Sequence, residues 1–165
     1  TQLYFLKRRR PEKPAAVMFF DRELALAALP ELGPRTRAAV EALVPGAVTL
    51  LLPKPHHRFP LACGPDPDTL GLRVPAWPDA LAPLGAVRWP VLQSSANDAG
   101  GSDARVLDAV PDRIRAAADL VLDGGELPGT PSTVIDLRDW EREGRFAIVR
   151  AGAVAEADVA RALGG

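Results

Sequence analysis

Several clusters of polar residues in this chain of 165 residues could bind a charged small molecule. The first is the basic run Lys-Arg-Arg-Arg at residues 7–10, which Pro11 follows. Guanidinium groups bind phosphate oxygens through paired N–H donors and keep their charge when partly buried. The run therefore predicts a phosphate-binding segment. The alternative is a solvated basic helix end, where positive charge favours the helix dipole.

A second cluster combines a hydroxyl and a guanidinium on one predicted strand. Thr69 and Arg73 lie in the stretch Thr-Leu-Gly-Leu-Arg-Val-Pro. Side chains alternate along a strand, so both point to the same face, and Gly71 leaves space between them. This arrangement predicts a ligand over that space, or else an edge strand with a polar outer face.

Hydroxyl groups also flank two further predicted strands. Ser95 and Asn97 follow the apolar residues 87–92, at a strand end of the kind where α/β proteins bind ligands. Ser132 lies where a glycine-containing loop enters the strand predicted at residues 133–137, and Arg150 follows the strand predicted at residues 146–149. Serine and asparagine are equally common in ordinary turns, so each cluster alone also fits a plain loop.

The scaffold that would position these residues is predicted from apolar runs and helix signals. Strands are predicted at residues 15–20, 48–52, 70–74, 87–92, 120–122, 133–137 and 146–149. Helices are predicted from residue 21, at 35–43, after Pro78, at 110–118 and at 156–163. This alternation predicts one α/β domain over residues 1–165, with helices packed on a mixed parallel and antiparallel sheet. Pro90 indicates a strand start or a sheet edge.

Composition narrows the class of protein. The net charge of -1 gives no basic field over the whole molecule, so any acidic partner must bind a local patch. Cys63 is the single cysteine, which excludes an intrachain disulfide, and no long apolar segment or secretion-type leader is visible. We therefore expect a cytoplasmic protein. His56 and His57 lack partners at metal-ligand spacing, so no protein metal site is predicted.

Six short motifs, taken in order, resemble those of the YrdC-like family, the threonylcarbamoyl-AMP synthases that begin threonylcarbamoyladenosine formation in tRNA. The similar stretches are Arg8-Arg9-Arg10-Pro11, Pro45-Gly46-Ala47-Val48-Thr49, Leu72-Arg73-Val74-Pro75, Ser95-Ala96-Asn97, Ser132-Thr133-Val134-Ile135-Asp136 and Arg150-Ala151-Gly152. Each motif is common alone, but all six stand in the family's order and cover nearly the whole chain.

Two departures from the family pattern stand at the start of the chain. Members usually open with a strand and a Thr-Asp-Thr-x-Tyr-Gly-Leu segment that helps to build the amino-acid pocket, and nothing before Thr1 supplies it. We expect either a fragment or a divergent relative that has lost the activity. The family's lysine aligns with Arg8, and Lys7 lies one position earlier.

The resemblance implies a reaction that joins L-threonine, bicarbonate and ATP into threonylcarbamoyl-adenylate and releases pyrophosphate, with Mg²⁺ accompanying the triphosphate. It implies a catalytic group of Arg8, Arg10, Ser95 and Asn97. It implies ATP contacts at Arg8, Arg10, Thr69, Ser95 and Arg150, and threonine contacts at Arg73 and Ser132. We expect Arg10 and Asn97 to be exposed, so that alanine substitution weakens turnover and barely changes stability.

The same fold is also linked to proteins that bind double-stranded RNA and to carbamoyl-transfer domains. An RNA-binding or regulatory relative without synthase activity is therefore the alternative, and its affinity for RNA would fall steeply with salt. Partners in either case would include tRNA or double-stranded RNA and other tRNA-modification proteins. A carbamoyltransferase-like domain is a third interpretation, but the chain shows no accompanying zinc-finger or acylphosphatase-like segment.

Overall fold

The computed structural model describes residues 15–53, 58–63, 66–98 and 101–165. Within them a mixed sheet has the strand order β4-β1-β3-β2-β5-β6. The strands are β1 (Ala16–Met18), β2 (Val48–Pro53), β3 (Thr69–Arg73), β4 (Val91–Gln93), β5 (Thr133–Asp136) and β6 (Ala147–Arg150). The pairs β1/β3 and β2/β5 are parallel, and the pairs β1/β4, β2/β3 and β5/β6 are antiparallel. The predicted mixed α/β fold is confirmed.

Helices connect most of these strands. They are α1 (Arg22–Ala28), α2 (Pro34–Leu43), α3 (Pro60–Cys63), α4 (Asp112–Ala116), α5 (Trp140–Glu143) and α6 (Glu156–Ala162), with 3-10 helices at Asp79–Ala86 and Leu107–Ala109. Helix α1 starts where the sequence predicts, because the Asp21 carboxylate accepts a hydrogen bond of 3.1 Å from the Leu24 amide and caps the first turn. None of the described helices combines the length and the apolar content needed to cross a membrane.

The two faces of the sheet have different surroundings. On β2 the side chains of Val48, Leu50 and Leu52 are buried, whereas Thr49 and Leu51 point to the opposite face. The buried set packs with side chains of α1, α2, α5 and α6 in one hydrophobic core. These helices therefore cover one face of the sheet, and Thr49 lies on the other face.

Two predicted strands differ from the structure. Residues 120–122 form no strand, and Leu120, Val121 and Leu122 are 73%, 43% and 51% exposed. The apolar run predicts a strand, but no described strand pairs with it. The strand predicted at residues 87–92 is shorter and begins at Val91, directly after Pro90, which has no N–H for a ladder. As Pro90 indicates, this strand lies at a sheet edge.

A carboxylate from α5 caps the start of α2. Glu141 Oε2 accepts a hydrogen bond of 2.7 Å from the Thr36 amide, and a side chain at Gly33 would overlap this carboxyl. The hydrogen bond lowers the pKa of Glu141 from its usual value, so the ionised form stabilises the fold. This contribution is present above the usual pKa of glutamate and is lost as the pH falls through the lowered one.

We expect Glu141→Gln to lower the melting temperature by a few degrees at pH 7, and we expect this difference from the wild type to shrink under acid conditions. Thermal unfolding followed by circular dichroism between pH 7 and pH 3 measures it. Glu143→Gln is the control, because the exposed Glu143 carboxylate on the same helix pairs with Arg145. A difference that stays constant over this pH range would contradict the role of the ionised cap.

Candidate functional site

A cavity of about 680 Å³ opens on the sheet face opposite the helices. All six strands contribute residues to it, and the segments at residues 103–110 and 122–132 form further walls. Its polar lining includes Thr49, Arg73, Gln93, Ser94, Ser95, Ser132 and Arg150. The structure thus brings together four of the predicted site residues: Arg73, Ser95, Ser132 and Arg150.

Arg73 gives the cavity a positive charge and forms no ion pair with a described carboxylate. It lies half-buried at the end of β3, and its Nε is buried without a hydrogen-bond partner among the described residues. Burial, and then the charge of Arg150, lower the pKa of Arg73 from its usual value, although a guanidinium remains protonated at neutral pH. Two like charges and an unsatisfied buried donor make this part of the cavity suited to an anion, either a carboxylate or a phosphate.

Ser132 lies between Arg150 and Thr49, a residue without a predicted role. Arg150 Nη2 donates to the Ser132 carbonyl at 2.8 Å and to its Oγ at 3.2 Å. The hydroxyls of Thr49 and Ser132 are 2.9 Å apart. Thr49 belongs to one of the six motifs. The sequence could have indicated it as a cavity residue, because it is a hydroxyl residue inside an apolar strand and the alternation of side chains places it on the face opposite the core.

The start of β5 is held in place from behind the cavity. The Thr133 hydroxyl donates to the Val154 carbonyl at 2.7 Å and accepts from the Val154 amide at 2.9 Å. Gly152 packs directly on this backbone, since a Cβ there would lie 2.5 Å from both the Ser132 carbonyl carbon and the Thr133 nitrogen. These contacts fix where Ser132 meets the cavity.

Ser95 and Asn97 have different surroundings. Ser95 lines the cavity, and its Oγ donates to Asn97 Oδ1 at 2.6 Å. Asn97 is only 7% exposed, and its Nδ2 donates to the Gly101 carbonyl at 2.6 Å, the Ser102 carbonyl at 3.2 Å and Asp103 Oδ1 at 3.1 Å. The expectation that Asn97 is exposed is therefore wrong. Its amide instead holds together the loop that carries Ser95.

We expect Asn97→Asp to destabilise the fold by about 2 kcal/mol at neutral pH, because an oxygen would then face three acceptor oxygens in a buried position. Asn97→Ala is expected to cost less, since it removes the hydrogen bonds without adding a charge. Urea unfolding at pH 7 measures both variants. Equal stability of the wild type and Asn97→Asp would show that the amide does not organise this loop.

The remaining predicted site residues lie elsewhere. Thr69 is at the start of β3 and is not part of the cavity lining; its hydroxyl accepts from Arg138 Nη1 at 3.2 Å. A hydrogen bond with Thr69 is also the main cause that lowers the pKa of Asp66. The ATP contact at Thr69 stays a prediction. Arg8 and Arg10 lie outside the described residues, as do His56 and His57.

The described side chains do not form a metal-binding group. In the parts of the chain that the structure describes, no group of three or more His, Cys, Asp or Glu side chains could hold a metal ion. Asp103 and Asp123 line the cavity, but Asp103 Oδ1 accepts from Asn97 and Asp123 Oδ1 accepts from the Gly125 amide at 2.9 Å.

Comparisons with solved structures reveal related folds. The structure of P. abyssi Sua5 complexed with L-threonine superposes with a TM-score of 0.80 at 25% identity, over 99% of this chain and 47% of that one. Escherichia coli YciO superposes with a TM-score of 0.72 at 24% identity, over 93% of this chain and 73% of that one, which shows the fold alone.

Sequence comparisons agree. A stretch of 73 residues is 41% identical to the uncharacterized protein YciO of Escherichia coli, and it covers 43% of this chain and 35% of that protein. The chain thus spans about half the length of the Sua5 chain, and its match covers about a third of YciO. The profile of the Sua5/YciO/YrdC family, described as telomere recombination, matches residues 1–152. The chain belongs to the Sua5/YciO/YrdC family.

Proposed function

We propose that this domain is an L-threonylcarbamoyladenylate synthase, which forms threonylcarbamoyl-AMP and pyrophosphate from L-threonine, bicarbonate and ATP for tRNA modification. The observation that carries the proposal is the pair Arg73 and Arg150 on a cavity of about 680 Å³, beside the Ser132 hydroxyl. Family membership and the fold shared with a Sua5 that binds L-threonine support it.

The threonine carboxylate fits the unsatisfied charge of this cavity. Arg73 Nε is a buried donor with no partner among the described residues, so a carboxylate oxygen would satisfy it and offset the repulsion between Arg73 and Arg150. Ser132 adds a hydroxyl beside Arg150. The volume lies within the range of small-molecule sites and leaves room for a nucleotide as well as the amino acid.

The proposed reaction needs positioning and charge but no protein nucleophile. The threonine amine and bicarbonate combine to a carbamate with loss of water. A carbamate oxygen then bonds to the α-phosphorus of ATP while the bond to the bridging oxygen breaks, and pyrophosphate leaves. Cationic and hydrogen-bonding groups accelerate such a transfer by orienting the reactants and stabilising developing charge. We assign the triphosphate to Arg8 and Arg10, and the ATP-facing hydroxyl to Ser95. Arg150, for which the resemblance implies an ATP contact, is assigned to the threonine carboxylate because it donates to Ser132.

In the proposed reaction, Mg²⁺ binds together with ATP. Because Mg²⁺ usually keeps several waters and binds substrate phosphates, we assign the triphosphate oxygens and water as its ligands. Mg²⁺ would neutralise part of the triphosphate charge. The cavity residues then hold the threonine end of the ternary complex.

The test is product formation with labelled bicarbonate. The protein is incubated with ATP, Mg²⁺, L-threonine and ¹⁴C-bicarbonate. The ¹⁴C-labelled threonylcarbamoyl-AMP and the released, unlabelled pyrophosphate are then quantified in the same reaction. We expect equal amounts of both products, and no label incorporation when L-threonine or ATP is omitted. Absence of L-threonine-dependent product, together with RNA binding that weakens steeply with salt, would favour the RNA-binding alternative.

A further inference from the structure

We infer that Thr49 is a further positioning residue of this site, and that it acts through a hydroxyl pair with Ser132 that presents one O–H donor to the substrate carboxylate. The inference rests on the proposed function, because it names how the same cavity holds the amino acid. It starts from the 2.9 Å distance between Thr49 Oγ1 and Ser132 Oγ on the cavity surface.

A count of the hydroxyl hydrogens of Thr49 and Ser132 shows that one O–H group is available as a donor. The two hydroxyls carry two hydrogens and share one in their mutual hydrogen bond. Arg150 Nη2 also donates to Ser132 Oγ, at 3.2 Å. This hydrogen bond occupies one acceptor site of Ser132 Oγ and uses neither of the two hydroxyl hydrogens. If Thr49 donates, both acceptor sites of Ser132 are used and the Ser132 hydrogen is left. If Ser132 donates, the Thr49 hydrogen is left. Either way, one O–H remains and no described acceptor takes it.

The surroundings direct that hydrogen to the cavity. Thr49 points away from the core, between the buried residues Val48 and Leu50. Ser132 is 9% exposed, and its carbonyl is already bound by Arg150. A carboxylate held between Arg73 and Arg150 supplies the acceptor that is missing. The pair thus adds one more directional hydrogen bond to the contacts that Arg73 and Arg150 make with the carboxylate.

The experiment measures L-threonine and ATP binding separately by calorimetry on the wild type, Thr49→Val and Thr49→Ser. Valine keeps the shape and the strand preference of threonine but removes the hydroxyl, and serine restores it. We expect Thr49→Val to weaken L-threonine binding about ten-fold or more, ATP binding to change less than two-fold, and Thr49→Ser to recover most of the threonine affinity. Circular dichroism and urea unfolding check that all three proteins are folded.

The possible outcomes separate the inference from the proposed function. L-threonine bound equally well by the wild type and Thr49→Val overturns the inference but leaves the function standing. A loss shared by Thr49→Val and Thr49→Ser also overturns the inference, because the hydroxyl would not be the cause. A wild-type protein that binds no L-threonine overturns both.

Discussion

Arg73→Met is expected to weaken L-threonine binding about a hundred-fold or more while the free energy of unfolding stays the same or rises by about 1 kcal/mol. The loss of binding follows from removing the half-buried cation of the cavity. The unchanged or higher stability follows because the native Arg73 has a buried Nε without a described partner and a nearby like charge in Arg150. Folding therefore gains little from this guanidinium, and sites of this kind trade stability for function.

The measurement pairs calorimetric titration of L-threonine with urea unfolding of the free protein. Arg142→Met is the matched control, because Arg142 is an exposed arginine of α5 whose partner is Asp139, at 2.7 Å. We expect the control to bind L-threonine normally and to change stability by less than about 1 kcal/mol. An Arg73→Met protein that binds L-threonine like the wild type would remove Arg73 from the site. One that loses several kcal/mol of stability would make the residue structural.

Gly152→Ala is expected to cost about 2–3 kcal/mol of stability and to weaken L-threonine binding at least ten-fold. The added Cβ would lie 2.5 Å from the Ser132 carbonyl carbon and from the Thr133 nitrogen. Neither atom belongs to a flexible side chain, so the start of β5 has to move. Because the same stretch carries the Ser132 hydroxyl and accepts the Arg150 hydrogen bond, the binding geometry moves with it.

Gly85→Ala is the matched control for this substitution. A Cβ at Gly85 meets nothing within 4 Å. The glycine lies in the 3-10 helix Asp79–Ala86 and does not line the cavity, although Leu81 of the same helix does. We expect the same one-methyl change there to leave threonine affinity intact and stability equal or slightly higher. Urea unfolding and calorimetry on both variants give the comparison. Native-like behaviour of Gly152→Ala would mean that the backbone at residues 131–133 does not fix Ser132.

The fold was largely predictable because its central strands carry local signals. The apolar run at residues 48–52 and the capping Asp21 each correspond to an element that the structure contains. The run at residues 120–122 carries the same signal and forms no strand. An apolar run predicts a strand only when a neighbour is there to pair with it, and that neighbour is a property of the whole sheet.

The site was predictable in its charges and less so in its hydrogen bonds. Arg73 is a cation within one predicted strand and Arg150 directly follows another, and the structure places both on one cavity. Asn97 lies in a stretch whose composition is typical of an exposed turn. It is buried because its side-chain amide donates to carbonyl groups that follow it in the loop. Thr49 lies beside Ser132 on the cavity because β2 pairs with β5, far away in sequence. Such long-range pairings are not encoded in local residue patterns.

The parallel pairing of β2 with β5 also has a consequence for synthesis of the protein on the ribosome. Val48 pairs with Thr133 and Leu51 with Asp136. This edge of β2 therefore has no pairing strand until more than eighty further residues have emerged from the ribosome. During that interval a Val-Thr-Leu-Leu-Leu strand has unpaired N–H and C=O groups that can join another nascent chain. Thr49, Ser132 and Arg150 can meet only after residue 150 has emerged, so this part of the cavity is complete only from that point.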